Sequence, residues 1–530
     1  MSERSIKNLM RGALLLTIAS LISKILSAVY RVPFQNMVGD VGFYIFQQVY
    51  PIYGIAMTLA LGGFPVVISK MMAEKEGDLR AQQIILQSVN RTLKVLGITI
   101  FVILFFGADF FAVLMGDVEL SDPIRVVSFV FLLTPRLAFF RGYFQGQDDM
   151  TPTAVSQTVE QVIRVGVILL GAWIAIHSGR SLVEAGSYAM SGAVFGGLAA
   201  IFLLQTFYKK RLSKGSLKIW AVSPNRTEKR GIGREFLRQS LAICTVSAML
   251  ILFQLADSFQ VYRLMAEGGI PDLIAKSLKG VYDRGQPILQ LGLVLSSGLA
   301  LALVPMVTAA RVRGEQRQLE RSVLLAMKIT LILSGAETVG LIAIMRPLNQ
   351  MLFETSDGTF VLQMFMPAVF LSSLIIMMSS ILQGFGKIAV PAVAVIAGLV
   401  AKIVANAWLV PSLATLGSSI STIIGLLVVL IISYYALKQN LPVPFVNRSI
   451  LLKLALALLF MTVIPVLWEA FLPLTSRTGS AFQALISSLL GGMVFLVFTL
   501  RYKLLESHDF IYLPFGTKLY ALSRKLVKKQ

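Results

Sequence analysis

Apolar residues run through this chain in stretches of about 20, the length that crosses a bilayer core as a helix. Short segments rich in charge, proline and glycine separate them. The pattern predicts spanning helices near residues 11–32, 43–66, 93–115, 123–142, 152–176, 185–208, 239–263, 286–310, 322–345, 360–384, 388–410, 415–437, 451–471 and 480–500. No segment between them is long enough for a separate soluble domain. The second and fifth stretches are polar for membrane helices. Strand alternation is absent, which excludes a β-barrel. The expected fold class is an all-α polytopic membrane protein of about 14 transmembrane helices.

The chain also resembles itself. "GGFPVVISKMMAEKEGDLR" at the end of the second stretch is echoed by "LALVPMVTAARVRGEQRQLE" at the end of the eighth, pairing Pro65 with Pro305 and Gly77 with Gly314. "YFQGQDDMTPTAV" is echoed by "ILQGFGKIAVPAV", pairing Gln145 and Gly146 with Gln383 and Gly384, and Pro152 with Pro391. Matches in order at a nearly constant offset of about 239 residues argue for two duplicated six-helix lobes. Six is even, so the copies are parallel, the design of alternating-access transporters with the substrate held between lobes. The expected organisation is an N-lobe at 1–208, a basic cytoplasmic linker at 209–238, a C-lobe at 239–437, two further helices within 438–500, and a basic tail at 501–530.

Composition sharpens this. With 56% hydrophobic and 14% charged residues, and a mean hydropathy of +0.76, the chain is far too apolar to be soluble. A single Cys244 and two isolated histidines, His177 and His508, leave no disulfide framework and no cysteine–histidine metal site. The net charge of +21 would suggest nucleic acid in a soluble protein. Here 34 of the 48 Lys and Arg fall on one side of the predicted helices and seven on the other. By the positive-inside rule both termini are then cytoplasmic, and the basic excess is topology, with membrane lipids and not nucleic acid as its partner. Arg4, Lys7 and Arg11 before an apolar run imitate a signal peptide, but Lys24 interrupts it, so it is read as the first span.

The remaining seven basic residues lie within or at the edges of spans: Lys24, Arg31, Arg136, Arg164, Arg263, Lys328 and Lys402. A charge at the centre of a membrane helix costs about 2.5–3.5 kcal/mol on insertion scales, so such residues usually face a bundle interior or a water-filled cavity. Ser20, Lys24, Ser27 and Arg31 make one polar stripe, and Gln157, Glu160, Gln161 and Arg164 another. Lys402 is the repeat counterpart of Arg164. Arg31 and Arg263 lie near span ends, where snorkelling to the interface is the plain alternative. Glu160 at i, i+4 from Arg164 could neutralise it. The cations still outnumber the acids in the first lobe, and surplus guanidinium in a low-dielectric cavity suits a phosphate or pyrophosphate. The expected anion-binding residues are Lys24, Arg31, Arg136, Arg164, Arg263 and Lys402, and the ion-coupling candidates Glu160, Asp257 and Glu337. No phosphate-binding GxxxxGK[ST] loop occurs, so transport would run on gradients or membrane potential, with Na+ or H+ as the open choices.

The first-helix segment "SLISKILSAVYRVPFQNMVG", "GFPVVISK" and "RGYFQGQDDMTPTAVSQTVEQVIRV" together resemble the polysaccharide-transporter branch of the multidrug/oligosaccharidyl-lipid/polysaccharide (MOP) exporter superfamily. The likeness is greatest to the stage V sporulation protein B group and more distant to the lipid II flippases. It implies a two-lobed flippase of the bacterial plasma membrane that moves an undecaprenyl-pyrophosphate-linked oligosaccharide, or a peptidoglycan or polysaccharide precursor, by alternating access. It also implies that Lys24 and Arg31 line the cavity, and it needs no cofactor. The competing function is a cation-coupled multidrug exporter, whose cargo Lys24, Arg136 and Arg164 would repel. An enzyme acting on the same lipids would need acid–base groups on an outer loop, and the longest, about 264–285, offers only Glu267, Asp272 and Asp283.

Overall fold

A computed structural model describes residues 19–212, 226–294, 313–441 and 448–502, except 473 and 475, and also 298, 307, 311, 504, 505 and 520. Among these residues there is no strand. Ten helices are long and apolar enough to cross a membrane, and the pair Gly231–Ser247 and Met249–Glu267, bent by 74°, makes an eleventh if taken as one span. Two of the ten are too long to be single crossings. Ala19–Ala73 has 55 residues, which as one straight helix would measure about 80 Å against a bilayer core of about 30 Å. It breaks at Gly39, whose φ of 68° and ψ of −176° suit glycine. The break falls between the first and second expected spans. Ala389–Asn440, with 52 residues, breaks likewise at Ala414, φ 50°, between the eleventh and twelfth. The eighth expected span, 286–310, lies mostly outside the described residues, as do Pro305, much of the basic linker and most of the tail.

Local chemistry sets the helix ends. Asp78 caps Leu79–Phe106 by accepting from the Ala81 amide at 2.9 Å. Pro152 sits in the first turn of Thr151–His177, where its missing N–H costs nothing. The duplicated glycines take the same backbone form, φ 89° at Gly77 and 69° at Gly314, each two residues before a 28-residue helix. Exposed Val95, Ile98, Val102 and Phe106 give Leu79–Phe106 an apolar outer stripe suited to lipid.

The chain packs as two compact units, residues 1–287 with 391–425, and residues 288–390 with 426–530. These follow packing and differ from the lobes expected from the duplication, because Met249–Glu267 and residues 391–425 join the first unit. The core of that unit is aromatic, built on Phe34, Phe43, Tyr44, Phe46, Tyr50 and Tyr53 of the helix Arg31–Thr58. The second unit has its own core around Val323, Ile329, Met377, Ile381 and Leu437.

A buried cationic cluster in the first unit

The helices Thr151–His177 and Leu182–Leu212 meet more closely than side chains normally allow. A Cβ at Gly192 would fall 2.8 Å from the Arg164 carbonyl oxygen, and one at Gly196 would fall 2.7 Å from that of Glu160. Gly192 and Gly196 are a small-xxx-small pair of the kind that lets membrane helices touch backbone to backbone. That contact fixes the turn carrying Glu160, Gln161 and Arg164, which are 5%, 0% and 1% exposed.

Arg164 turns toward the first helix. Its Nη2 donates to Gln161 Oε1 at 2.7 Å and to Ser27 Oγ at 3.2 Å, while its Nε has no hydrogen-bond partner. Its guanidinium carbon lies 4.7 Å from the Tyr53 ring centroid and 5.4 Å from that of Tyr30. Arg31 is fully buried one helical turn beyond Ser27 and sits 4.2 Å over the Tyr50 ring. None of its three guanidinium nitrogens finds a hydrogen-bond acceptor in good geometry. Cation–π contacts of this kind contribute about 0.5–2 kcal/mol each, well short of what a paired carboxylate would supply to a buried charge.

Glu160 does not neutralise Arg164 as an ion-pair partner. It pairs at 2.6 Å with Arg141, a fully buried residue on the helix Val130–Gln145. Arg141 also donates to Ser156 Oγ at 3.3 Å and to the Ala60 carbonyl at 3.4 Å. The other buried cations of this unit are likewise matched: Lys279 with Asp283 at 2.7 Å, Arg284 with Asp40 at 2.5 Å, Lys402 with Asp257 at 2.8 Å, and Lys276 with Asp117 at 3.1 Å. Among the described residues of this unit, Arg31 and Arg164 are the buried cations with no carboxylate within ion-pair distance.

The remaining expected residues are placed differently. Lys24 keeps accessible surface while protein surrounds most of it, and Arg136 is exposed. Its neighbour Pro135 is buried against the helix Leu79–Phe106, where a Cβ at Gly97 would fall 2.4 Å from its Cγ. Arg263 is half-exposed at the end of its helix, 3.5 Å from Glu267. Asp257 and Lys402 hold each other. Glu337 is half-buried on Gln316–Ala343 in the second unit. The stretch 264–285, expected as an outer loop, contains a helix, Asp272–Asp283. Lys276 on that helix bonds Glu119 at 2.9 Å and Asp117 at 3.1 Å. Burial would lower its pKa, but these carboxylates reverse the effect and hold it above its ordinary value.

Sequence reasoning missed Arg141, Tyr30, Tyr50 and Tyr53. Arg141 stands at the edge of the fourth expected span, where a basic residue reads as an interface anchor. The tyrosines had a faint signal, two of them at i, i+3 around Pro51 in the unusually polar second span.

The model of the polysaccharide biosynthesis protein family matches residues 9–311, more than half of the chain. The chain belongs to this family. It is 38% identical over 524 residues to the uncharacterised membrane protein YabM of Bacillus subtilis, covering 97% of this chain and 96% of YabM. It is 27% identical to the lipid II flippase MurJ of the same organism, over 92% of this chain and 94% of MurJ. The stage V sporulation protein B of that organism is 25% identical over 82% of this chain and 84% of its own length. Those two relatives thus stand at similar distance, where the sequence motifs had suggested the second was nearer. In fold the chain is similar to MurJ in an inward closed conformation, with a TM-score of 0.71 at 15% identity, covering 92% of this chain and 99% of that one. It is also similar to an inward-facing multidrug resistance MATE family transporter of the MOP superfamily, with a TM-score of 0.65 at 18% identity, over 81% of this chain and 98% of that one. The family and its neighbours are membrane flippases and exporters, and the chain is a multi-span membrane protein of that kind.

Proposed function

We propose that this protein is a flippase that carries a polyprenyl-pyrophosphate-linked oligosaccharide or cell-envelope precursor from the cytoplasmic to the outer leaflet of the plasma membrane by alternating access. The observation that carries the reading is the pair Arg31 and Arg164, fully buried and with no carboxylate within ion-pair distance, where every other buried cation among the described residues of the unit has one. Two buried guanidiniums without a direct ion-pair partner are costly to keep in a membrane protein unless an anion uses them. A pyrophosphate with several oxygens can accept forked hydrogen bonds from each. An organic cation, the cargo of a multidrug exporter, would be repelled from the same place.

The deciding experiment places purified protein in liposomes with a fluorescent polyprenyl-pyrophosphate-linked sugar in one leaflet. Protein-dependent appearance of the sugar in the other leaflet is expected, and polyprenol lacking the pyrophosphate should not compete. Saturable export of a cationic dye with no movement of the sugar would overturn the reading.

Direction of transport depends on orientation. With Cys244, which is buried, replaced by serine, single cysteines at Val118 and Asp357 are expected to react with an impermeant reagent from outside. Cysteines at Glu76 and Glu315 should not. Val118, 66% exposed, is chosen over its neighbour Asp117, which is buried and bonded to Tyr44 at 3.1 Å. The reverse pattern would invert the topology.

A further inference from the structure

The Asp257 carboxylate, 1% exposed, is surrounded by donors. Lys402 Nζ lies 2.8 Å from Oδ1 and 3.0 Å from Oδ2. Asn406 Nδ2 donates to Oδ1 at 3.1 Å, Ser418 Oγ donates to Oδ1 at 2.9 Å, and Tyr282 Oη donates to Oδ2 at 3.0 Å. Lys402 Nζ also donates to Thr422 Oγ1. Asn406 is fully buried against this group, and its Oδ1 has no partner. All these residues belong to the first unit.

Without the lysine, what remains is one carboxylate and a set of neutral hydroxyl and amide oxygens drawn from four stretches of chain. That is the donor chemistry of a hard cation: oxygen ligands, a single negative charge and no soft atoms. The ammonium group occupies the position such an ion would take. A second cation beside it would meet an already neutralised carboxylate and a like charge in a poorly screened interior. The nearby Asp283 is itself paired with Lys279 at 2.7 Å and offers no spare negative charge.

We propose that Lys402 is the resident cation of this oxygen cage, so that the protein takes no alkali ion at Asp257 and acquires a sodium site when the ammonium is removed. A covalently tethered cation cannot move down a gradient. If the protein is a flippase, as proposed above, its transport cycle then draws nothing from sodium at this site. Asp257 and Lys402, singled out in the sequence for ion coupling and for anion binding respectively, thereby satisfy each other.

The test needs no lipid-linked sugar, so it can fail or succeed independently of the flippase reading. The thermal midpoint of detergent-purified protein is measured in sodium chloride and in choline chloride at equal concentration. The wild type is expected to show the same Tm in both. Lys402→Ala exposes a buried, unpaired carboxylate and is expected to have a lowered Tm in choline, raised saturably by sodium by about 2 °C or more through mass action. The double variant Lys402→Ala, Asp257→Asn should lose that response. Lys402→Gln replaces the alanine variant if the latter does not fold, and the wild-type comparison decides if neither folds. A sodium-specific rise in the wild type that Asp257→Asn abolishes would overturn the proposal. So would a folded Lys402→Ala protein that does not distinguish sodium from choline.

Discussion

Alanine at Arg164 is expected to abolish transport of lipid-linked sugar while leaving the protein folded and inserted, and removing Glu160 as well is expected not to restore it. The second half of that expectation comes from geometry. Were Arg164 present to offset Glu160, the double variant Arg164→Ala, Glu160→Gln would recover what the single change lost. Glu160 is committed to Arg141 at 2.6 Å, whereas Arg164 is held by the neutral groups Gln161 and Ser27. Removing Glu160 therefore orphans Arg141 and makes matters worse. Hydrogen bonds to charged groups contribute about 1.5–3 kcal/mol each, so every bond of the fork that is lost should weaken pyrophosphate binding by roughly 10- to 100-fold. Lysine at position 164 keeps the charge but loses the fork and should rescue partly. Arg31→Ala should behave like Arg164→Ala, and Arg136→Ala, at an exposed position, should have a smaller effect. Transport at matched expression measures all five variants. Full activity in the Arg164, Glu160 double variant would remove Arg164 from the anion site.

What the sequence made legible, and what it did not, follows from which forces are local. The helices are legible because burial in lipid demands about 20 apolar residues in a row, and a break such as Gly39 announces itself by its residue type. Arg31 and Arg164 are legible as functional candidates because an intramembrane charge is expensive wherever it points. Which acid each cation meets is not legible. Lys402 and Asp257 are 145 positions apart, and nothing on either helix names the other. Arg141 shows the same limit at shorter range: a basic residue near a span end is ordinarily an interface anchor, and only the packing turns it inward. A Cβ at the neighbouring Gly142 would lie 2.6 Å from Ile68 Cβ. Val130–Gln145 therefore approaches Phe64–Ala73 closely enough to bury Arg141 between them and Glu160.

Arg141→Met is expected to destabilise the folded protein by about 3–5 kcal/mol, the typical consequence of removing one partner from a buried ion pair. The cost has three identifiable sources. Glu160, 5% exposed, loses its counter-charge in a low-dielectric interior. Ser156 loses a donor at 3.3 Å. The carbonyl of Ala60 loses one at 3.4 Å, and Ala60 lies in the π-helical turn Leu59–Gly63, a wider turn than the α-helix on either side of it. Glu160→Gln should cost less, because the amide can still accept from the guanidinium, though Arg141 is then left without a counter-charge. The double variant Arg141→Met, Glu160→Met puts two apolar side chains of suitable size where the pair stood, and replacing a buried pair in this way is often close to neutral. Its loss should therefore be smaller than that of Arg141→Met alone, apart from the share owed to Ser156 and Ala60. Thermal or denaturant unfolding of Arg141→Met, Glu160→Met and the double variant in one detergent yields the coupling energy directly. Additive losses would mean that Arg141 and Glu160 are stabilised by their separate surroundings and not by each other, and Glu160 would again be available to offset Arg164.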